Sequence, residues 1–485
     1  MKKKVIIILI FLFTFVKIIN AQTKLWGMTQ LGGTSINCGA NGCGTIFKIN
    51  LDGTGYNIPY NFDGINGDGP YGSLMQATNG KLYGLAFGGV NNHGVLFSFD
   101  PINNVYNDVY DFDSINGSNP TGTLMQATDG KLYGMANSGG AYHYYGVLFS
   151  YDPVSGIYND LFDFNDTLGS YPLGRLIQAT NGKLYGMTQS GGSGSVGVLF
   201  SFDINTHTYL DILDFNLATG NLPYGSLIQA SNGKLYGMTQ WNGGNGYGVL
   251  FSFDPVSNTF TDLFDFNTST GEFPQGSLIQ ASNGKLYGMT TQGGSINYGV
   301  LFSFDINSNS YNVLINFIGS TNGRQPSGGL LQASNGKLYG MTNFGGTYDN
   351  GILFSFDITT TILTKLRNLN LPDGVQPLYS SFIEIADSTT NINSVKEQKI
   401  HIIAYPNPFN AKIEIDYFLT DQIPVTITIY NTLGEKVKDL VNNAMQPAGD
   451  YKIIFDGSVL NAGIYYYTII EGNKSETGKM VLMRQ

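Results

Sequence analysis

The pentapeptide Gly-Lys-Leu-Tyr-Gly occurs six times in this chain of 485 residues, beginning at Gly80, Gly130, Gly182, Gly233, Gly284 and Gly336, with spacings of 50 to 52 residues. Lys24-Leu25-Trp26-Gly27 is a seventh, partial copy, and every copy is followed by a glycine pair, from Gly32-Gly33 to Gly345-Gly346. A chain that repeats at a fixed period builds one small unit many times, and each unit buries its faces only against its neighbours.

One unit, Ser226 to Gly276, shows what that unit is. Ser226–Ala230 reads as a short apolar first strand. Asn232-Gly233 then signals a two-residue hairpin of type I′, which needs positive φ at both positions. Lys234–Thr239 is a second strand, and the glycine pair opens a longer loop. Val249–Phe253 is a third strand, apolar on both faces as a buried strand is. Asp254-Pro255 starts a tight turn, with Pro presetting φ and Asp bonding its own backbone. Phe260–Phe266 is a fourth strand, and a loop with Gly and Pro leads to the next unit. Four strands in about 51 residues without helices predict a propeller blade. Pro59 lies in the first fourth strand, the outer edge, where a missing N–H is tolerated.

The ends set the blade count. The chain enters the repeat at a second strand, Lys24, without a first strand before it. Gln376–Asp387 supplies an unpaired first strand at the other end. Pairing of Phe382–Ala386 with Lys24–Thr29 would join both ends in one blade and close seven blades. The expected fold is therefore all-β: a seven-bladed β-propeller of four-stranded blades over 22–387, a polar linker over 388–399, and a small β-sandwich over 400–485.

Charge and leader supply an address. Lys2–Lys4 precede an apolar run, Val5–Val16, and Ala21 offers a cleavage point, so residues 1–21 read as a secretory signal peptide. No later segment is apolar enough to cross a bilayer, so no transmembrane segment is expected. Residues 22–393 hold 12 basic and 25 acidic residues. Nucleic acid and anionic membranes require the opposite sign. Cys38 and Cys43 flank a flexible turn, and in an exported chain they read as a local disulfide.

The order of a strand, a glycine pair, a strand ending Asp-Pro and an aromatic strand resembles the kelch repeat. The wording Gly-Lys-Leu-Tyr-Gly-Met followed by Gly-Val-Leu-Phe-Ser-Phe-Asp is still more similar to the bacterial GloVer tandem repeat. That resemblance covers about 360 residues and implies a fold but little about activity. After the linker, Pro406-Asn407-Pro408-Phe409, Leu433-Gly434-Glu435-Lys436-Val437, Ala448-Gly449, Tyr451, Leu460, Gly463-Ile464-Tyr465 and Lys479-Met480-Val481-Leu482 follow in order. They resemble the type A C-terminal sorting domain of the type IX secretion system. The resemblance implies recognition of 400–485 by that machinery, and an extracellular or outer-surface location. Gly434, Gly449 and Gly463 read as turn residues.

Chemistry-bearing residues are sparse. His93 and His143 fall in loops after second strands. A copper-oxidase reading, known among kelch-type propellers, would require paired His and Tyr with a reactive Cys, and it is rejected because the only cysteine pair, Cys38 and Cys43, is spent locally. Only two glutamates, Glu272 and Glu384, occur before residue 393, whereas a glycosidase needs two suitably separated carboxylates. Asp100, Asp111 and their counterparts recur in register and read as turn and strand-end acceptors; paired Asp/Asn positions such as Asp111 and Asp113 leave a calcium site as an open alternative. Gln76, Gln126, Gln178, Gln229, Gln280 and Gln332, with Glu384 in the seventh place, read as hydrogen bonds between blades or as a ring around the channel. No catalytic residue, metal or cofactor is expected.

Binding residues are expected on one end of the ring. Two connections per blade are uniform tight turns, and the other two are longer, variable and aromatic. Tyr142, Tyr144, Trp241, Tyr247, Tyr298, Phe344 and Tyr348, with His93, His143, Arg175 and Glu272, are the candidate ligand-binding set. The leading reading is a secreted, non-catalytic propeller that binds a polysaccharide or another surface ligand. An enzyme acting on an extracellular polymer and a structural or adhesive surface protein are the alternatives.

Overall fold

A computed structural model describes residues 23–386 without 36 and 143, and residues 401–484 without 406, 420, 421, 433, 472 and 473; the side chains of 401–403 and 474–476 are also outside the description. The expected signal peptide and linker lie outside the described residues. The chain divides into two compact units, Met1–Thr389 and Thr390–Gln485.

The first unit is all-β and propeller-like, and among its described residues contains seven separate antiparallel sheets. Six take their strands consecutively from the chain. The remaining sheet joins the ends: Ile383–Ala386 pairs with Thr23–Trp26, and Thr23–Thr29 then pairs with Thr45–Asn50. Asn57–Asn61, which contains Pro59, is the edge strand of that sheet.

Between consecutive sheets lies a buried apolar layer built the same way each time. Tyr185, Met187 and Leu199 from one sheet meet Leu227, Leu235, Val249 and Phe251 from the next. The last layer sets Ala333, Tyr339 and Leu353 against Leu25, Phe47 and Phe382, so the final sheet packs on the closing one. The glycine at the centre of each second strand makes room for this layer. A Cβ on Gly186 would lie 2.6 Å from the Phe200 ring and 2.8 Å from Leu176. Towards the rim, rings on neighbouring fourth strands stack in parallel, as in Tyr110 on Tyr158 at 3.9 Å and Phe264 on Tyr311 at 3.9 Å.

Polar repeat residues connect and terminate strands. The Gln178 amide oxygen accepts from Thr128 N (2.9 Å) in the preceding sheet, while its Nε2 donates to Gly182 O (2.9 Å) in its own turn. Glu384 takes the same place at the closing sheet, accepting from Ser334 N and Ser334 Oγ (both 2.6 Å) and from Thr23 Oγ1 (2.5 Å). Asp214 accepts from Ser193 N in the glycine-pair loop, and Asp203 from Asn205 N in the next turn.

Two local expectations need correction. In the Asn-Gly turns only the glycine has positive φ, for example 81° at Gly233. Asn232 is instead held by Tyr236 Oη (2.8 Å) and by Lys234 N (3.2 Å), and Gly233 N bonds Ala230 O, so this is a longer hairpin loop with its glycine last. The first strand is also shorter than Ser226–Ala230, with ladder pairing only at Ile228–Gln229. Upstream of it the backbone leaves the ladder to pack on the adjacent sheet. A Cβ on Gly225 would lie 2.3 Å from Gly276 O, which explains a glycine there.

The second unit has a three-stranded sheet (His401–Tyr405, Lys412–Leu419, Gly449–Asp456) and a four-stranded sheet (Ile423–Tyr430, Lys436–Gln446, Gly463–Glu471, Lys474–Leu482). Ile413, Ile415 and Phe455 of one share a core with Ile429, Tyr467 and Met480 of the other. The Pro-Asn-Pro-Phe motif secures the last strand: Asn407 bonds Lys479 O (2.7 Å) and Val481 N (2.9 Å), and Phe409 is buried beside Leu482.

Candidate functional site

The innermost segments of all seven sheets surround a cavity of about 580 Å³. That volume falls in the range of small-molecule sites, roughly 300 to 1,000 Å³. Its wall is layered by the repeat. Tyr71, Tyr224 and Tyr379 come from the loops that enter the first strands, with ring centroids 4.7 Å apart for Tyr71–Tyr379 and 5.9 Å for Tyr224–Tyr379. Gln189 Nε2 donates to Tyr224 Oη (2.7 Å). Burial raises the pKa of Tyr71 and Tyr379, which keeps both phenols neutral.

Two residues after the tyrosine level comes a ring of hydroxyls that ties the sheets together. Ser73 N donates to Thr123 Oγ1 (3.0 Å), Ser226 N to Ser277 Oγ (3.0 Å), and Ser381 N to Ser73 Oγ (2.7 Å). Arg175 stands in this ring, its backbone N donating to Ser226 Oγ (2.7 Å). Apolar side chains such as Ile228 and Ile279 follow, and then glutamines.

The long loops form a second group of surfaces. Each loop entering a first strand pairs with the end of its own second strand through a short bridge: Asn221 with Trp241, Glu272 with Gln292, Arg324 with Phe344. These bridges bring several expected residues together. Trp241 lies 4.2 Å from the Phe273 ring, and Tyr247 lies 5.7 Å from it. The Arg324 guanidinium sits over Phe344 (4.8 Å) and Tyr298 (5.7 Å) while bonding both carboxylate oxygens of Asp349 (3.1 and 2.7 Å). That pairing holds the Asp349 carboxyl below its ordinary pKa.

Other expected residues stand apart. Tyr142, Tyr144 and Tyr348 are exposed. His93 Nδ1 lies 3.0 Å from Ser118 Oγ. His143 lies outside the described residues. Glu272 is buried, and desolvation raises its carboxyl pKa. Arg175 is not on the loop surface with Glu272; it lines the central cavity, because the segment that carries it turns inward before its ladder pairing begins. Cys38 and Cys43 form a disulfide with Cα atoms 5.3 Å apart.

Comparison with known proteins places this architecture. The Gloeobacter/Verrucomicrobia repeat matches residues 14–232 and 212–394, well over half of the chain. The chain belongs to that repeat family. Residues 403–483 match the secretion system C-terminal sorting domain, so this Gloeobacter/Verrucomicrobia repeat protein carries the tail that directs export by the type IX system to the cell surface or the medium. No helix among the described residues is long and apolar enough to cross a membrane. No curated protein matches the chain.

Solved structures are similar to it only distantly. TolB from Acinetobacter baumannii is 13% identical, with 61% of this chain and 64% of that one covered and a TM-score of 0.39. The chain thus spans less than two thirds of the length of that protein. A fungal alcohol oxidase of the AA5 family in complex with copper is 11% identical (96% and 97% covered, TM-score 0.44). A PL25 ulvan lyase is 13% identical (72% and 91% covered, TM-score 0.41).

In this member of the repeat family, the cavity wall was the part hardest to find from sequence. The signal was a comparison across repeats at one position. Ser73, Thr123, Ser226, Ser277, Gly329 and Ser381 are small, and Arg175 is the exception. Tyr379 was hidden by one extra residue before it, which shifts Gln376-Pro377-Leu378-Tyr379 against the other copies.

Proposed function

We propose that residues 22–387 form a closed seven-bladed β-propeller acting as an exported, non-catalytic binding module. Residues 388–399 serve as its linker, and 400–485 as a small β-sandwich read by the type IX machinery. Its ligand is a saccharide of a surface or extracellular polymer. The observation that carries this reading is the asymmetry of the ring. One end has near-identical hairpin turns; the other has the long loops, with Trp241 on Phe273 and Tyr142, Tyr144 and Tyr348 open to solvent. Flat amphipathic rings beside amides and carboxylates suit sugars, which offer C–H faces and hydroxyls together.

A glycan array probed with the full chain tests the binding half. Retention of at least one glycan class, weakened by Trp241→Ala, is expected; an array without any signal refutes it. Deletion of residues 394–485 tests the sorting half. The shortened chain is expected to stay cell-associated inside the envelope, and its arrival at the surface would refute the assignment.

A further inference from the structure

Arg175 is the one charged residue among those lining the central cavity, and it stands inside a segment with about twice as many acidic as basic residues. No carboxylate lines that cavity. Among the described residues the Arg175 side chain makes no ion pair or hydrogen bond, in contrast to Arg324 on Asp349 and Arg367 on Asp373. Its side chain is exposed to the cavity space, and the surrounding wall lowers its pKa by desolvation. An arginine stays charged even so. A guanidinium that stands in a cavity without a counter-charge is free to pair with an incoming anion. The six other positions of the ring show that a small residue satisfies the fold here, so the guanidinium is not needed for packing.

We propose that the cavity binds a sugar-sized, hydroxyl-rich carboxylate, a uronate unit, with Arg175 engaging the carboxylate. A planar guanidinium matches a carboxylate through two parallel hydrogen bonds. The hydroxyls of Thr123, Ser226 and Ser277, which accept backbone N–H groups, each retain an O–H to donate to the ligand. Tyr71, Tyr224 and Tyr379 line the same cavity two residues before this level. This assignment rests on the reading of the ring as a binding module and names its ligand class.

The test is calorimetric titration of the full chain with glucuronate, glucose and inorganic sulfate. Glucuronate is expected to bind at least tenfold more tightly than glucose. Arg175→Ser, which installs the residue type of four other copies, is expected to lose at least tenfold for glucuronate while its melting temperature stays level or rises. Arg175→Lys should fall between. Absence of glucuronate binding, equal affinity for glucose, or unchanged affinity in Arg175→Ser overturns the assignment. Sulfate binding as tight as glucuronate also overturns it, by showing an ion pocket only. A lower melting temperature for Arg175→Ser would make the residue structural and overturn it too. Array binding of neutral glycans that Trp241→Ala abolishes, with glucuronate silent, removes the cavity assignment and leaves the binding-module reading intact.

Discussion

Removing the Phe382 ring tests whether the seam between the chain's two ends carries the same energy as any other interface. Phe382 is 3% exposed and meets Phe47 edge-on at 6.0 Å and Tyr339 at 6.5 Å. Truncating a buried Phe to Ala typically costs about 3 to 5 kcal/mol through lost transfer energy and the cavity left behind. Leu227, fully buried at the equivalent place in an interior sheet, is the control, and Leu→Ala falls at about 2 to 5 kcal/mol. The two variants should therefore lose comparable stability. The chain has two tryptophans, and Trp26 lies 3% exposed in the closing sheet, opposite Ile383. In a Trp241→Phe background, urea unfolding followed by Trp26 emission reads the seam directly, with the slope held equal between variants. Hydrogen exchange at Leu25–Met28 should quicken in Phe382→Ala and not in Leu227→Ala. A loss below about 1 kcal/mol with Trp26 emission and exchange unchanged would falsify closure at this seam.

Other expectations follow from single residues. Asp108, Asp160 and Asp211 each lie near a second aspartate, and burial first, then that neighbour, lifts each pKa to about 6. A carboxyl whose folded pKa is raised binds its proton more tightly when folded, so this contribution is full below the unfolded pKa and is lost as pH rises through about 6. The melting temperature should thus be higher at pH 5.5 than at 7.5, and Asp108→Asn with Asp160→Asn should flatten that difference. At Glu384 burial raises the pKa, but bonds from Ser334 and Thr23 outweigh it and the net shift is downward, so its contribution fades as pH falls through that lowered value; Glu384→Gln should narrow the acid limb of the melting profile. Gly186→Ala drives a methyl into Phe200 and Leu176 and should cost about 1 to 3 kcal/mol in urea unfolding. Tyr142→Ala should leave stability within about 0.5 kcal/mol, as exposed sites do, whereas Trp241→Ala should cost more because its ring rests on Phe273; equal melting temperatures for the two would contradict that packing.

Sequence periodicity was enough to find the strands of each repeat and the pairing of its ends, because both depend on residues that recur. Phe97, Phe149, Phe200 and their counterparts had to be buried, and repetition alone placed them. Features that depend on where the backbone turns in three dimensions were less legible. Gln178 spans two sheets, but its partner Thr128 N is 50 residues away and leaves no local trace. The Asn-Gly dipeptide carries a hairpin signal, but the Tyr four residues after each Asn claims its side chain and selects another loop. Arg175 looked like a loop residue because it follows Pro172, and only the inward course of that segment moves it to the cavity wall.

The sheet shared by the chain's two ends also governs the order of folding. Thr23 and Glu384 stand 361 residues apart yet bond directly. Contacts of such separation form late, after the intervening chain has condensed. Until residue 383 has been made, the strand Thr23–Thr29 lacks its inner partner and leaves one flank of backbone donors and acceptors uncovered. An interrupted polypeptide ending before that point is thus an open arc, vulnerable to proteases and to pairing with another copy at the bare flank.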